Sequence, residues 1–249
     1  LQQSSAASDV YKRQVMWSPV EQTSLAEAEV EYHKIKSLTA DVRFPVVGKD
    51  KEYVVIWTTT PWTIPSNQAL AVNPELEYSL VFLGGESVWL ASDLVSTCME
   101  KWGCSEYLVK ETKKGKDLNL TVLHPFYELG ERKVLEADFV TADTGTGFVH
   151  IAPAHGEDDF QLGLKHNLEV RSKVMDNGVY EEDVPVVGGQ HVYKAGKVVI
   201  ETLKERELLQ ATYTIEHDYP HSWRSKKPVI YRTTPQWFVS LDKHNLREK

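Results

Sequence analysis

The stretch Trp57-Thr58-Thr59-Thr60-Pro61-Trp62-Thr63-Ile64-Pro65-Ser66-Asn67 decides the reading of this 249-residue chain. The residues before it, Glu52 to Trp57, are β-branched and aromatic, the composition of a buried strand. That strand delivers three hydroxyls in a row. Pro61 then ends the ladder, because proline has no N–H to give. Pro65 fixes a second bend, and Asn67 follows with an amide that both donates and accepts. A strand ending in hydroxyls and an amide can line a polar pocket. Threonine is also a good strand former, so a purely structural role for each of these residues stays open.

A second segment has the same character. Thr144-Gly145-Thr146-Gly147-Phe148-Val149-His150 runs into Ile151-Ala152-Pro153-Ala154-His155-Gly156-Glu157-Asp158-Asp159-Phe160. Two glycines allow a backbone to approach a ligand closely, although turns use the same residues. His150 and His155 are five apart on a strand and a loop, with no obvious third ligand, so the spacing predicts no zinc site. Both histidines also fit as satisfied core or loop residues. Glu157, Asp158 and Asp159 stand where a helix begins. There they either stabilise the helix N-terminus or hold a cationic group.

Working outward, Asp41 to Val47 reads as another strand. Tyr78 to Leu83 and Ser87 to Leu90 flank Gly84-Gly85-Glu86 as a hairpin. Ala91 to Trp102 has apolar residues at helical spacing behind Ser92 or Asp93. Strands are expected at Val15 to Trp17, Tyr107 to Lys110, Leu118 to Leu123, Phe139 to Thr141, Phe148 to Ala152, Gln210 to Glu216 and Val229 to Arg232. Helices are expected at Gly156 to Lys165 and Ala195 to Leu209, with a turn at Asp176-Asn177-Gly178. Propensity also allows helix from Ser24 to Tyr32. Many short strands with a few helices predict an α+β fold built on a β-barrel or a strongly curved sheet.

The formal net charge of −8 argues against a free-standing nucleic-acid binder, whose affinity comes mostly from neutralising phosphates. It leaves room for a site that handles one nucleotide end delivered by a neighbouring domain. The two cysteines, Cys98 and Cys104, cannot make a disulfide framework and read as thiols of a reducing, cytoplasmic compartment. No apolar run reaches membrane-spanning length, so no membrane partner is expected. No Gly-x-Ser-x-Gly elbow is present, which disfavours a serine hydrolase.

Both motif segments resemble the editing domain of isoleucyl-tRNA synthetases. The sister editing domains of the valyl and leucyl enzymes have Arg-Pro at the Thr60-Pro61 position and an acidic residue at Trp62. The valyl form usually has His-Asp at His155-Gly156. Thr60-Pro61-Trp62-Thr63 is the isoleucyl form, and the spacing from His150 to Asp159 matches it as well. The resemblance implies a class I editing domain, β-barrel-like with peripheral helices, that hydrolyses mischarged Val-tRNA(Ile) after transfer. It implies that Asp159 holds the α-ammonium of the misattached amino acid. Thr59, Thr60 and Asn67 are placed around the scissile ester and the terminal adenosine, with Thr58 beside them. Gly145, Thr146 and Gly147 offer backbone to the adenosine or oxyanion, and His150 and Thr63 shape the side-chain pocket. Thr59, Thr60 and Asp159 are thus the expected catalytic group.

The resemblance runs from Val15 to Lys249. Residues 15–46 match the junction with the synthetic domain, 47–216 the editing domain, and 217–249 the return segment, including His221-Ser222-Trp223-Arg224 and Thr234-Pro235-Gln236-Trp237-Phe238. It overrides the helix reading for part of Ser24 to Tyr32. Residues 1–14 stand apart as a tail, small, polar and aperiodic from Leu1 to Asp9, and are read as disordered or foreign to the protein. Relatives often have cysteines where Ser18 and Glu21 stand, so no metal is expected. Motifs of the His-Ile-Gly-His and Lys-Met-Ser-Lys-Ser types are missing. The ATP- and Mg-dependent chemistry of a parent synthetase is therefore not expected of this chain, and editing itself calls for no cofactor. Expected partners are the acceptor end of tRNA(Ile) and the parent's synthetic domain. A non-catalytic tRNA-end docking module and an inactive truncated fragment are the rival readings.

Overall fold

The structure, a computed structural model, describes residues 8–239, with side chains from 14 to 235. Among the described residues thirteen strands are formed, in chain order β1 (Ser8–Ser18), β2 (Thr23–Leu25), β3 (Val30–Pro45), β4 (Glu52–Thr58), β5 (Ala69–Val72), β6 (Glu77–Leu83), β7 (Glu86–Ala91), β8 (Leu108–Lys114), β9 (Thr121–Leu123), β10 (Glu131–Glu136), β11 (Val149–Ile151), β12 (Leu209–Ser222) and β13 (Ile230–Val239). Three α-helices join them, α1 (Val95–Lys101), α2 (Glu157–Lys165) and α3 (Val192–Glu205).

The strands make three sheets. Six strands are ordered β12-β3-β4-β7-β6-β8, four are ordered β11-β5-β10-β9, and three are ordered β13-β1-β2. The α+β class follows, but the expected barrel does not form: none of the three sheets closes on itself. Closure needs a continuous ladder of consistent tilt and register. Here the six-stranded sheet ends at β12 on one side and at the wholly exposed β8 on the other. The sheets meet through short links instead, such as the bridge between Val46 and Val122 and the bond from Ala91 N–H to Thr146 O at 2.9 Å.

The core follows from the central strands. Val54, Val55 and Ile56 of β4 and Val88 and Leu90 of β7 are fully buried, as expected where both faces of a sheet are covered. Phe44, Val81, Leu70 and Met99 pack into the same cluster. One charged group is buried among them. Asp41 of β3 has no exposure and is held by Lys101 Nζ at 2.9 Å and by Trp102 Nε1 at 2.7 Å. The end of α1 is thereby clamped to β3, since a lone buried carboxylate would be costly.

Several local expectations are corrected. Residues 24–32 form the end of β2, a 3-10 turn and the start of β3, not a helix, because β3 pairs along its length with β12 from Val30 to Val42. Phe139–Thr141 is not a strand and lies in the loop between β10 and β11. β4 stops at Thr58, and Pro61 opens a 3-10 turn through Ser66, so Thr59 and Thr60 sit beyond the strand. Strands β5 and β10 carry no alternation in the sequence but pair in parallel, Lys133 to Glu136 against Ala69 to Val72. The tail reading of residues 1–14 meets a strand: Ser8 to Gln14 extend β1, paired with β13 from Ser8–Val239 to Gln14–Thr233. Backbone pairing needs no side-chain pattern, which is why an aperiodic stretch can join it. Residues 1–7 lie outside the described residues.

The β1–β13 ribbon is tied to the rest at defined points. Arg232 binds the Asp176 carboxylate at 2.5 Å and lies over the Trp17 ring at 4.7 Å, while Trp17 Nε1 donates to Asp176 O at 2.8 Å. Asp176 belongs to the turn expected at Asp176-Asn177-Gly178, which a bridge between Val174 and Tyr180 closes.

Candidate active site

The two motif segments come together. A cavity of about 350 Å³ is lined by Thr58, Thr59, Thr60 and Thr63 on one side and by Gly145, Thr146, Gly147, His150 and Asp159 on the other. The first group lies at the end of β4 and just beyond it, and the second lies on β11 and to either side of it. The juxtaposition is tertiary, because β11 pairs with β5, whose Ala69 begins two residues after Asn67.

The threonine segment is shaped by its own hydroxyls. Thr58 is buried, and its Oγ1 accepts the Thr60 N–H at 3.1 Å, turning the chain out of the strand. Thr59 and Thr60 remain half-buried on the cavity wall. The Thr63 hydroxyl donates to Thr60 O at 2.8 Å and also meets His150 Nε2 at 2.8 Å. A carbonyl oxygen can only accept, so the hydroxyl proton belongs to Thr60 O. His150 must therefore donate from Nε2, which leaves Nδ1 bare to accept the Asn67 amide at 3.1 Å. Asn67 Nδ2 also donates to Ala69 O at 2.8 Å.

This chain of bonds fixes the chemistry of His150. Both ring nitrogens are committed and the ring is buried. Burial, with His155 nearby, pushes its pKa down to about 3, so it is neutral at physiological pH. His150 therefore presents a rigid, uncharged wall and not a titrating group. Asn67 does not reach the cavity, contrary to its expected place at the adenosine or ester. It is fully buried behind His150 and holds the imidazole in place.

The glycine loop is pinned from behind. Gly145 and Gly147 both have φ of +79°, a region that costs other residues energy. A Cβ on Gly147 would meet the Ala91 Cβ at 2.2 Å, so no side chain fits there. The Tyr78 hydroxyl donates to Gly147 O at 3.0 Å, and Thr146 O takes the Ala91 N–H. The loop is held against β7 with little freedom to move.

Asp159 lies in the first turn of α2 and is half-buried on the cavity wall. One carboxylate oxygen accepts the Ala152 N–H at 2.8 Å. Burial pushes its pKa up to about 6, helped by the Asp158 charge and opposed by the backbone N–H. Gly156 makes room for it, since a Cβ there would lie 2.9 Å from the Asp159 Cγ. The carboxylate is thus ionised at neutral pH but poorly solvated, a state that a bound cation relieves.

Residues 35–207, which span both walls of this cavity, match the family model described as leucyl-tRNA synthetase, editing domain. The chain belongs to that editing-domain family. The isoleucine–tRNA ligase of Shewanella pealeana is 46% identical over 245 residues, covering 91% of this chain and 26% of the ligase. That of Pelagibacter ubique is 45% identical over 250 residues, covering 94% of this chain and 28% of the ligase. The editing domain thus comes with flanking sequence, and the chain spans about a quarter of the length of the ligases it matches. The crystal structure of GlLeuRS-CP1 superimposes with a TM-score of 0.57 at 15% identity, covering 71% of this chain and 98% of that one. That likeness bears on the fold: strands in mixed open sheets with few helices.

The cavity of this editing domain also includes residues the motifs did not single out as a site. Trp57, Phe139, Thr141, Thr144, Phe148, Val149, Ala152 and His155 complete its wall. Trp57 closes the strand end, and Gly145 packs on its ring, where a Cβ would lie only 3.3 Å from the Trp57 Cε3. Phe139 and Thr141 carry no sequence signal for this role, because a loop residue is placed by the fold and not by periodicity. His155 had a signal, as the second histidine of the motif, but the same residue type serves equally as loop packing.

Proposed function

We propose that this chain is the editing hydrolase of an isoleucine–tRNA ligase and removes valine wrongly esterified to tRNA(Ile). The observation that carries this reading is the convergence, in one cavity, of the half-buried Asp159 carboxylate with the neutral His150 wall and the hydroxyls of Thr59 and Thr60. An aminoacyl ester has an α-ammonium beside its carbonyl. Asp159 pairs with that ammonium in a charge-assisted bond, which positions the ester within the cavity. Thr59 and Thr60 hold the ribose and the ester oxygens. The backbone of Gly145 to Gly147 faces the terminal adenosine or the oxyanion that forms on attack.

Selectivity comes from size. Valine and isoleucine differ by one methylene, which a binding pocket can weigh only by ~1–3 kcal/mol, a limit known from isoleucyl-tRNA synthetase itself. A second site succeeds by exclusion. His150 and Thr63, locked together by hydrogen bonds, form the wall that the extra methylene of isoleucine meets. Water is the nucleophile, and no metal or cofactor enters this proposal. The partners are the acceptor end of tRNA(Ile) and the synthetic domain of the parent ligase, in the cytoplasm. Among the described residues no helix is long and apolar enough to cross a membrane.

The test is ester release from Val-tRNA(Ile) and Ile-tRNA(Ile) by the 249-residue chain. Faster hydrolysis of the valyl ester supports the reading. Acceptor-end binding without hydrolysis of either ester would make the chain a docking module and overturn it.

A further inference from the structure

His155 sits at the turn between β11 and α2, where its N–H bonds Ala152 O at 2.8 Å. This turn is docked on the β1–β13 ribbon by three bonds. Gln14 Nε2 donates to Pro153 O at 3.0 Å, Thr233 N–H donates to Ala154 O at 3.0 Å, and His155 Nδ1 lies 2.9 Å from Tyr231 O. A carbonyl oxygen only accepts, so His155 Nδ1 carries a proton. Burial pushes the pKa of the ring down to about 4, the Tyr231 bond opposes this, and the Arg232 charge adds to it. The ring is therefore neutral, and its Nε2 is a bare lone pair.

That lone pair has no protein partner among the described residues, although the side chain is only 9% exposed. A buried acceptor left unpaired costs ~1–3 kcal/mol, so its retention calls for an explanation. His155 lines the same cavity as Asp159 and His150. The cavity's other two side chains able to act as a base are engaged, and the Trp57 Nε1–H, which also lacks a partner, can only donate. Both nitrogens of His150 are bonded, and Asp159 takes the Ala152 N–H and, in the proposed reaction, the ammonium.

We propose that His155 is the general base of the hydrolysis, its Nε2 accepting the proton of the attacking water. This rests on the deacylase reading above. The water oxygen bonds to the ester carbonyl carbon as one of its protons passes to Nε2. The tetrahedral intermediate then collapses, the bond from carbon to the ribose oxygen breaks, and that oxygen takes the proton back from Nε2. Free amino acid and a tRNA ending in its ribose hydroxyl result, with His155 restored. Tyr231 O holds the ring in the required tautomer throughout, as backbone or carboxylate acceptors do for other catalytic imidazoles.

The experiment uses the 249-residue chain, His155→Asn and His155→Ala, with Val-tRNA(Ile) as substrate. The asparagine amide can still donate to Tyr231 O but offers nothing at the Nε2 position. Expected are a kcat lower by ~10²-fold with unchanged KM, and a solvent deuterium isotope effect that is present in the parent chain and lost in the variant. Added imidazole should raise the rate of His155→Ala and leave the parent rate alone. Parent-like kcat in His155→Asn overturns the assignment, and so does a slow His155→Ala that imidazole does not rescue. In either case parental turnover leaves the deacylase reading standing. A parent chain that releases no valine overturns that reading instead, and this one with it.

Discussion

Asp159→Asn separates what the carboxylate does for the reaction from what it costs the fold. In the folded chain its pKa is raised from 3.8 to about 6, mainly by burial. Between those two values the folded state binds a proton that the unfolded state has lost, so stability falls as pH rises through this window. Above pH 6 the penalty is complete. A displacement of about two pH units at about 1.4 kcal/mol each amounts to ~3 kcal/mol. Asparagine has no charge to desolvate, and its carbonyl can still accept the Ala152 N–H. The variant should therefore be more stable than the parent at pH 7, by up to ~3 kcal/mol, with the advantage gone near pH 4 where both side chains are neutral. Its deacylation should drop, because the charge-assisted bond to the ammonium is worth ~1.5–3 kcal/mol, or about 10- to 150-fold in kcat/KM. The parent's own activity should rise with pH through about 6 as the carboxylate ionises. Urea unfolding at pH 4 and pH 7, alongside Val-tRNA(Ile) deacylation, reads all of this. A variant less stable than the parent at pH 7, or a stability gain that ignores pH, would refute the electrostatic account of this site.

Three further outcomes are expected. His150→Ala should open the wall and let Ile-tRNA(Ile) be hydrolysed, cutting the preference for the valyl ester by at least ~10-fold; continued strict rejection of isoleucine in a competition assay would remove the sieve role. Gly147→Ala combines a left-handed backbone with a Cβ only 2.2 Å from Ala91, so unfolding should become easier by ~2–4 kcal/mol in urea titration and the loop should lose its place at the cavity. Asp41→Ala strips Lys101 and Trp102 of their buried acceptor and should cost ~3–5 kcal/mol by the same titration, with no change in which ester is preferred.

Much of the molecule was legible in its sequence because strands and helices follow local rules. β-branched runs marked β4, Gly84-Gly85 marked the β6–β7 hairpin, and apolar spacing marked α1 and α3. The pairing of a threonine-rich strand end with a Gly-Thr-Gly loop and an acidic helix start also pointed to one cavity and one family. Other features depended on distant partners. β5 and β10 are strands because distant segments supply their ladders, each other in parallel and β11 and β9 on their outer sides, and Glu131 to Glu136 alone has the charge content of an exposed helix. The open sheets replaced the expected barrel because closure is a property of register around a whole ladder. Asn67 looked like a ligand contact from its place beside the threonines, yet the fold turns it behind His150. The two histidines, indistinguishable by type and spacing, were divided by their hydrogen bonds: His150 is saturated by Thr63 and Asn67, while His155 spends only Nδ1 on Tyr231. Residue types and local spacing determined which groups were available to this site. Only the tertiary structure decided which stayed free to act, because a hydrogen-bond partner 76 or 87 residues away leaves no trace in a local pattern.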